Sequence, residues 1–267
     1  MPRAHRHYIP GHVWHLTHRC HKKDFLLKFA KDRQSWLNWL FEARKRYGIV
    51  ILNYMATSNH IHLLIHDRDG GEVIPKSVQL AAGRTAQQHN QRKNRKGAFW
   101  EDRYHATAVQ TGEHLVQCIV YMDLNMVRAG VVKHPSEWPH SGYCEIQKPP
   151  ERYRLIDRNA LMQLLGISGS EQLSLSHRSW VEAALKSGEK FRERKWSESI
   201  AVGSLSFIEQ AKIDLGARGF GRKITSSEFG HELREAQASY LGHFGYEKAL
   251  LSHENALPWH VYDDISM

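Results

Sequence analysis

The sequence predicts an α+β fold: a ferredoxin-like (RRM-like) antiparallel sheet with helices on one face, one added helix, and a mostly helical C-terminal extension. Three observations predict it. Up to Gly130 the apolar spacing switches between period 2 and period 3.6 in the order β-α-β-β-α-β-α, and its first six elements are the split βαβ pattern. Two β-prone runs are separated only by Ser58-Asn59, which makes them a hairpin. From about residue 135 a Pro-rich stretch, "HPSEWPHSGYCEIQKPPERY", interrupts the chain, and the text beyond it is helical.

Residues 12–20, "HVWHLTHRC", set Val13, His15 and Thr17 against Trp14, Leu16 and His18, the alternation of a strand. Over 31–47 the apolar positions Trp36, Leu37, Leu40, Phe41 and Tyr47 have helical spacing, and Gly48 stands where a C-terminal cap belongs. "IVILNYMAT" (49–57) and "HIHLLIH" (60–66) are the hairpin strands. Asp69-Gly70-Gly71 breaks the chain before a helix over 76–91. "QRKNRKG" (91–97) is a basic loop and "FWEDRYHATAVQ" (99–110) a further strand. Thr111 can cap a helix over 112–129 that Gly130 ends. Later helices are expected at 155–165, 177–187, 205–214 and 226–240, so the chain divides into 1–147 and an extension, 148–267.

The charge is unevenly spread. Residues 1–150 carry 22 Lys and Arg against 12 Asp and Glu, and the remainder 15 against 16. The excess therefore lies in the first part, which points to a polyanionic partner. Fourteen of the 19 histidines lie there too, which suits phosphate and metal chemistry better than a lipid surface. No apolar run is long enough to span a membrane, and "MPRAHRHYIPGH" lacks the apolar core of a signal peptide. The three cysteines, Cys20, Cys118 and Cys144, are too far apart for a zinc knuckle or a disulfide framework. A reduced, cytoplasmic protein is expected.

His60 and His62 sit at i and i+2 of a strand, so both imidazoles share one face while Ile61 and Leu63 take the other. Such a pair can ligate one cation, although two half-exposed strand histidines would look the same. On the helix over 112–129, Tyr121, Asn125 and Arg128 lie at i, i+4 and i+7 and line one stripe. They offer a phenol, a neutral oxygen ligand and a guanidinium, but an ordinary polar helix edge could carry them as well.

Together these stretches resemble a known family. "TSNHIHLLI" resembles the HUH motif, and "VYMDLNMVRAGVV" (120–132) the signature helix of single-tyrosine HUH transposases. Among these the sequence is most similar to REP-associated tyrosine transposases, with "HLTHRC", "GAFWEDRYHATAV" and "HPSEWPHSGY" in support, over roughly residues 8–147. The resemblance implies that His60, His62 and Asn125 hold a divalent metal, Mg²⁺ or Mn²⁺, and that Tyr121 is the catalytic nucleophile on the added helix. It implies a single-strand DNA endonuclease and strand transferase that acts through a 5′-phosphotyrosine on hairpins like repetitive extragenic palindromes. Met126 departs from the family pattern, which has proline there. Contacts to single-stranded or hairpin DNA are expected from Arg3, Arg6, Arg92, Lys93, Arg95, Lys96, Arg103 and Arg128. The protein is expected to be a monomer or homodimer. The extension either grips DNA, through Arg218, Arg222 and Lys223, or braces the first part.

Two other functions share this composition. A non-catalytic RRM-like binder of nucleic-acid hairpins would not need Tyr121. A metal-dependent phosphodiesterase would use water and form no covalent adduct.

Overall fold

A computed structural model describes residues 11–68, 70, 72–188, 193–227 and 230–235. The strands are β1 (Val13–Arg19), β2 (Val50–Ala56), β3 (His60–His66), β4 (His105–Val109), β5 (Ser199–Gly203), β6 (Lys223–Ser227) and β7 (Gly230–Arg234). The helices are α1 (Ala30–Tyr47), α2 (Val73–Arg92), α3 (Glu113–Asp123), α4 (Asn125–Arg128), α5 (Gly142–Gln147), α6 (Arg158–Leu165), α7 (Ser170–Ser187), α8 (Lys195–Glu198) and α9 (Leu205–Asp214). They build one sheet in the order β2-β3-β1-β4-β5-β7-β6. Its first four strands are antiparallel neighbours in the ferredoxin-like order. The α+β class expected from the sequence is the class observed.

The local signals act as expected at several points. Gly48 takes φ +71° behind α1, the left-handed conformation that a C-cap needs. Thr57 N donates to His60 O at 3.0 Å, so Ser58 and Asn59 form the hairpin turn. α9 covers 205–214 as expected, and α6 and α7 begin at Arg158 and Ser170.

Other signals were overridden. Gly112 with φ +77°, not Thr111, stands at the N-cap of α3, and no side chain caps it. The helix over 112–129 is two, joined at Leu124, yet Leu124 N still donates to Val120 O and Arg128 N to Leu124 O, so Tyr121, Asn125 and Arg128 keep a common side. The strand over 99–110 shortens to β4, because residues 101–103 turn outward, while Trp100 keeps a single bridge to Cys20. Residues 226–227 end β6 and 230–234 form β7, so no helix covers these described residues; the rest of the expected 226–240 helix, apart from residue 235, lies outside the described residues.

α1 and α2 lie on the face that carries Trp14, Leu16 and His18. The link is Trp100, which stacks on His18 (centroids 4.2 Å) and donates its indole N–H to Ala82 O of α2 at 3.0 Å. The opposite face, with His15 and Thr17, is covered by α3 and α8. One hydrophobic core runs from Val13 through Leu63 and Tyr121 to Trp196, Val202 and Leu233. β5 joins β4 in parallel (Ala108 opposite Ala201, Val109 opposite Val202), and Thr107 Oγ1 donates to Ser199 O at 2.6 Å. Residues 11–235 thus fall within one compact unit. The three cysteines are unpaired. Among the described residues no helix is long and apolar enough to cross a membrane.

Candidate active site

The β1–β3 register places Thr17 opposite His62 and Arg19 opposite His60. Opposed residues of an antiparallel pair point the same way, so His15, Thr17, Arg19, His60 and His62 share one face. Ile61 and Leu63 turn to the other and are buried. His60 is half-buried at the strand end. Its Nδ1 lies 2.7 Å from Asn59 Oδ1 and 3.0 Å from Thr57 Oγ1. An amide oxygen only accepts, so neutral His60 carries its hydrogen on Nδ1 and presents Nε2 as its basic nitrogen.

α3 and α4 lay their polar stripe over these histidines. The Tyr121 ring is buried and edge-on to both His62 (centroids 6.1 Å, 89°) and His15 (6.3 Å, 83°). The Arg128 guanidinium stands 4.2 Å over the Tyr121 ring and donates to the Tyr121 carbonyl at 2.6 Å. Burial pushes the guanidinium below its ordinary range, with Tyr121 acting in the opposite sense. Asn125 Nδ2 is 3.1 Å from His62 Nε2. A cavity of about 240 Å³ collects His60, His62, Tyr121, Asn125 and Arg128. Met126 is buried in a small cluster with Met55 and Trp138.

The donor set fits a hard divalent ion. Two ligands at about 2.1 Å and a right angle on an octahedral ion stand about 3.0 Å apart. His62 Nε2 and the Asn125 amide are 3.1 Å apart, and half a turn of that amide brings its oxygen to the same place. The His60 ring centroid is 4.9 Å from that of His62, with the rings crossed at 82°. Among the described residues no group of three or more His, Cys, Asp or Glu side chains is placed to hold a metal ion, so a set built on His60 and His62 would need the Asn125 amide.

Three contributors were not singled out from the sequence. Arg19 lines the same cavity and adds a cation beside His60. Ser197 reaches it from α8, in the extension. His15 is completely buried against His62 and Trp196. The period-2 alternation of "HLTHR" already placed 15, 17 and 19 on one face, and the ferredoxin-like order sets this strand beside His60 and His62; what the sequence did not show is that Trp196 and Ser197 of the extension come to the same face.

Burial lowers His15 to about 4, and burial with the nearby Arg33 lowers His140 to about 4. Between pH about 4 and 6.5 the unfolded chain then binds protons that the folded chain does not. Stability is therefore complete above pH 6.5 and falls as the pH drops towards 4, with a slope approaching about 1.4 kcal/mol per pH unit for each such histidine. Chemical denaturation at pH 7, 6 and 5 checks this, and His140→Gln should flatten the slope.

The expected DNA-contacting residues are in different situations. Arg3 and Arg6 lie outside the described residues. Arg92 ion-pairs with the buried Asp32. Arg95 donates to Asn90 Oδ1 (3.1 Å) and Ala98 O (2.9 Å), shaping the turn after α2. Lys93 lies 5.2 Å over the Phe29 ring, and Lys96 and Arg103 are exposed. In the extension, Arg222 faces Glu235 at 3.7 Å.

Residues 10–122 match the family model described as "Transposase IS200 like". This segment, less than half of the chain, is therefore similar to IS200-like transposases. It contains His60, His62 and Tyr121 and ends just before Asn125. A REP-associated tyrosine transposase bound to a REP hairpin is 18% identical, with a TM-score of 0.44 over 58% of this chain and 90% of that one. A protein of Deinococcus radiodurans, named as a transposase, is 18% identical, with a TM-score of 0.32 over 44% of this chain and 92% of that one. At these scores neither likeness bears on mechanism. No curated protein matches the chain.

Proposed function

We propose that the chain is an IS200-like transposase, a metal-dependent endonuclease and strand transferase for single-stranded or hairpin DNA that works through a 5′-phosphotyrosine on Tyr121. One observation carries the proposal: His60, His62, Tyr121, Asn125 and Arg128, drawn from β3 and from the consecutive helices α3 and α4, line one cavity.

His60, His62 and Asn125 would hold Mg²⁺ or Mn²⁺, which would supply charge neutralisation at the non-bridging oxygens of one phosphate. The Tyr121 hydroxyl loses its proton to solvent as it attacks phosphorus, the Tyr O–P bond forms, and the P–O3′ bond breaks. The 3′ oxygen leaves as a hydroxyl after taking a proton. The fixed Arg128 cation against the phenol favours the negative charge that builds on the attacking oxygen, because burial weakens solvent screening there. Arg19 offers the phosphate a further positive partner. A 3′-OH can then attack the phosphotyrosine and rejoin strands without ATP, since the ester linkage is conserved through both steps.

Catalysis is assigned to residues 1–147, and 148–267 serves as a support for them. Lys93, Lys96 and Arg103 are assigned to phosphate contacts, whereas Arg92 and Arg95 shape the fold beneath them. Lys96→Ala and Arg103→Ala should each lower hairpin affinity and reduce the slope of log affinity against log salt by about 0.7–0.9. Arg92→Ala should instead lower thermal stability. The hairpin class, repetitive extragenic palindromes, follows from the sequence resemblance.

Labelled hairpin oligonucleotides with single-stranded flanks, incubated with the protein and Mn²⁺, test the proposal on a denaturing gel. A protein-linked labelled species is expected. Cleaved DNA with no linked species would identify a hydrolase that uses water and overturn the proposal.

A further inference from the structure

We propose that His15, anchored by the main-chain carbonyl of Trp196 in the extension, is a positioning residue that fixes the tautomer of His62 and so turns its Nε2 towards the metal position. The inference rests on the proposed metal site. It follows from donor and acceptor roles along a line of three groups. His15 Nδ1 lies 2.8 Å from Trp196 O, and a carbonyl oxygen can only accept, so the hydrogen is on His15 Nδ1. Neutral His15 then has only a lone pair on Nε2. That atom is 2.9 Å from His62 Nδ1, which must therefore donate. A neutral His62 with its hydrogen on Nδ1 has an unprotonated Nε2, and that nitrogen is the one beside Asn125. The opposite assignment would set a bare His15 Nδ1 against a carbonyl oxygen at 2.8 Å, two acceptors facing each other.

The surroundings hold this line in place. His15 is 0% exposed, so water cannot substitute for either partner. The two imidazole planes are within 8° of parallel, with centroids 5.0 Å apart. Trp196 is also 0% exposed, which fixes the backbone that supplies the carbonyl. Thr17 Oγ1, 3.3 Å from His62 Nδ1, can accept from the same hydrogen but more weakly. Ligand histidines whose other nitrogen donates to a fixed acceptor are both oriented and made more basic. Here the last acceptor belongs to α8, so the extension enters the metal chemistry through its main chain while remaining nearly neutral in charge.

The test uses full-length, metal-free protein with ¹⁵N-labelled histidine, His62 signals being assigned through His62→Gln. Wild type should show His62 with Nδ1 protonated and Nε2 bare. His15→Phe removes the acceptor and should disturb that state and weaken Mn²⁺ binding about 10- to 100-fold. His15→Gln, whose amide oxygen can accept from His62, should stay nearer to wild type. A wild-type His62 protonated on Nε2 overturns the proposal. So does a folded His15→Phe that binds Mn²⁺ as tightly as wild type. If His15→Phe does not fold, the wild-type imidazole signals alone decide. Wild type that binds no Mn²⁺ would refute the metal site itself, whereas the imidazole signals judge the relay separately.

Discussion

Tyr121→Phe is expected to abolish strand cleavage and covalent adduct formation while leaving hairpin affinity unchanged. Only the hydroxyl is removed. The ring keeps its packing against His62, Trp196 and the Arg128 guanidinium, so the fold and the phosphate-binding face persist. Cleavage assays beside a binding titration check both halves. A non-catalytic hairpin binder would show no change in either. A hydrolase that activates water would keep cleaving, because neither the imidazoles nor Asn125 is altered.

The largest effect on stability is expected at His177. Asp123, two residues beyond Tyr121, is 1% exposed and accepts from Asn53 Nδ2 at 3.0 Å and from His177 Nε2 at 2.7 Å. Gln147 Nε2 donates to His177 Nδ1 at 2.8 Å, which leaves the His177 hydrogen on Nε2, facing the carboxylate. The line ties β2, α3, α7 and α5 together. Asn53 reaches it because the β2–β3 register shifts between Ile51 and Asn53, a bulge that breaks the simple alternation. His177→Ala leaves a buried carboxylate oxygen without its partner and should cost about 3–5 kcal/mol. Denaturant midpoints measure this. An Asp123→Ala/His177→Ala double variant that loses much less than the sum of the single changes would confirm that the two act as a pair.

Much of this was legible in the sequence because it depends on local periodicity. The hairpin, the Gly48 cap, the ferredoxin-like order and the shared face of His60 and His62 all follow from spacing within a few residues. Tyr121 and Asn125 were legible as a stripe, and the break at Leu124 left it intact. What stayed hidden depends on pairing partners far along the chain. "SIAVG", "KITSS" and "GHELR" are five residues each, too short for a periodic signal. Leu, Glu, Arg and Ala after Gly230 favour a helix, and only pairing with β5 and β6 makes β7 a strand. His15 looked like one more residue of an alternating strand. Its role depends on Trp196, 181 residues away, which no local pattern reveals. Arg92 and Arg95 looked like free cations of a basic loop, but Asp32, Asn90 and the carbonyl of Ala98 engage them.

The central claim is that Tyr121 becomes covalently joined to DNA. Its most direct test is mass spectrometry of the protein–DNA species trapped with Mn²⁺ and digested with trypsin and nuclease. The account predicts a 5′-linked nucleotide on the peptide containing Tyr121, absent from Tyr121→Phe. A nucleotide on another residue such as Tyr104 or Tyr143, or cleavage with no modified peptide, would contradict it.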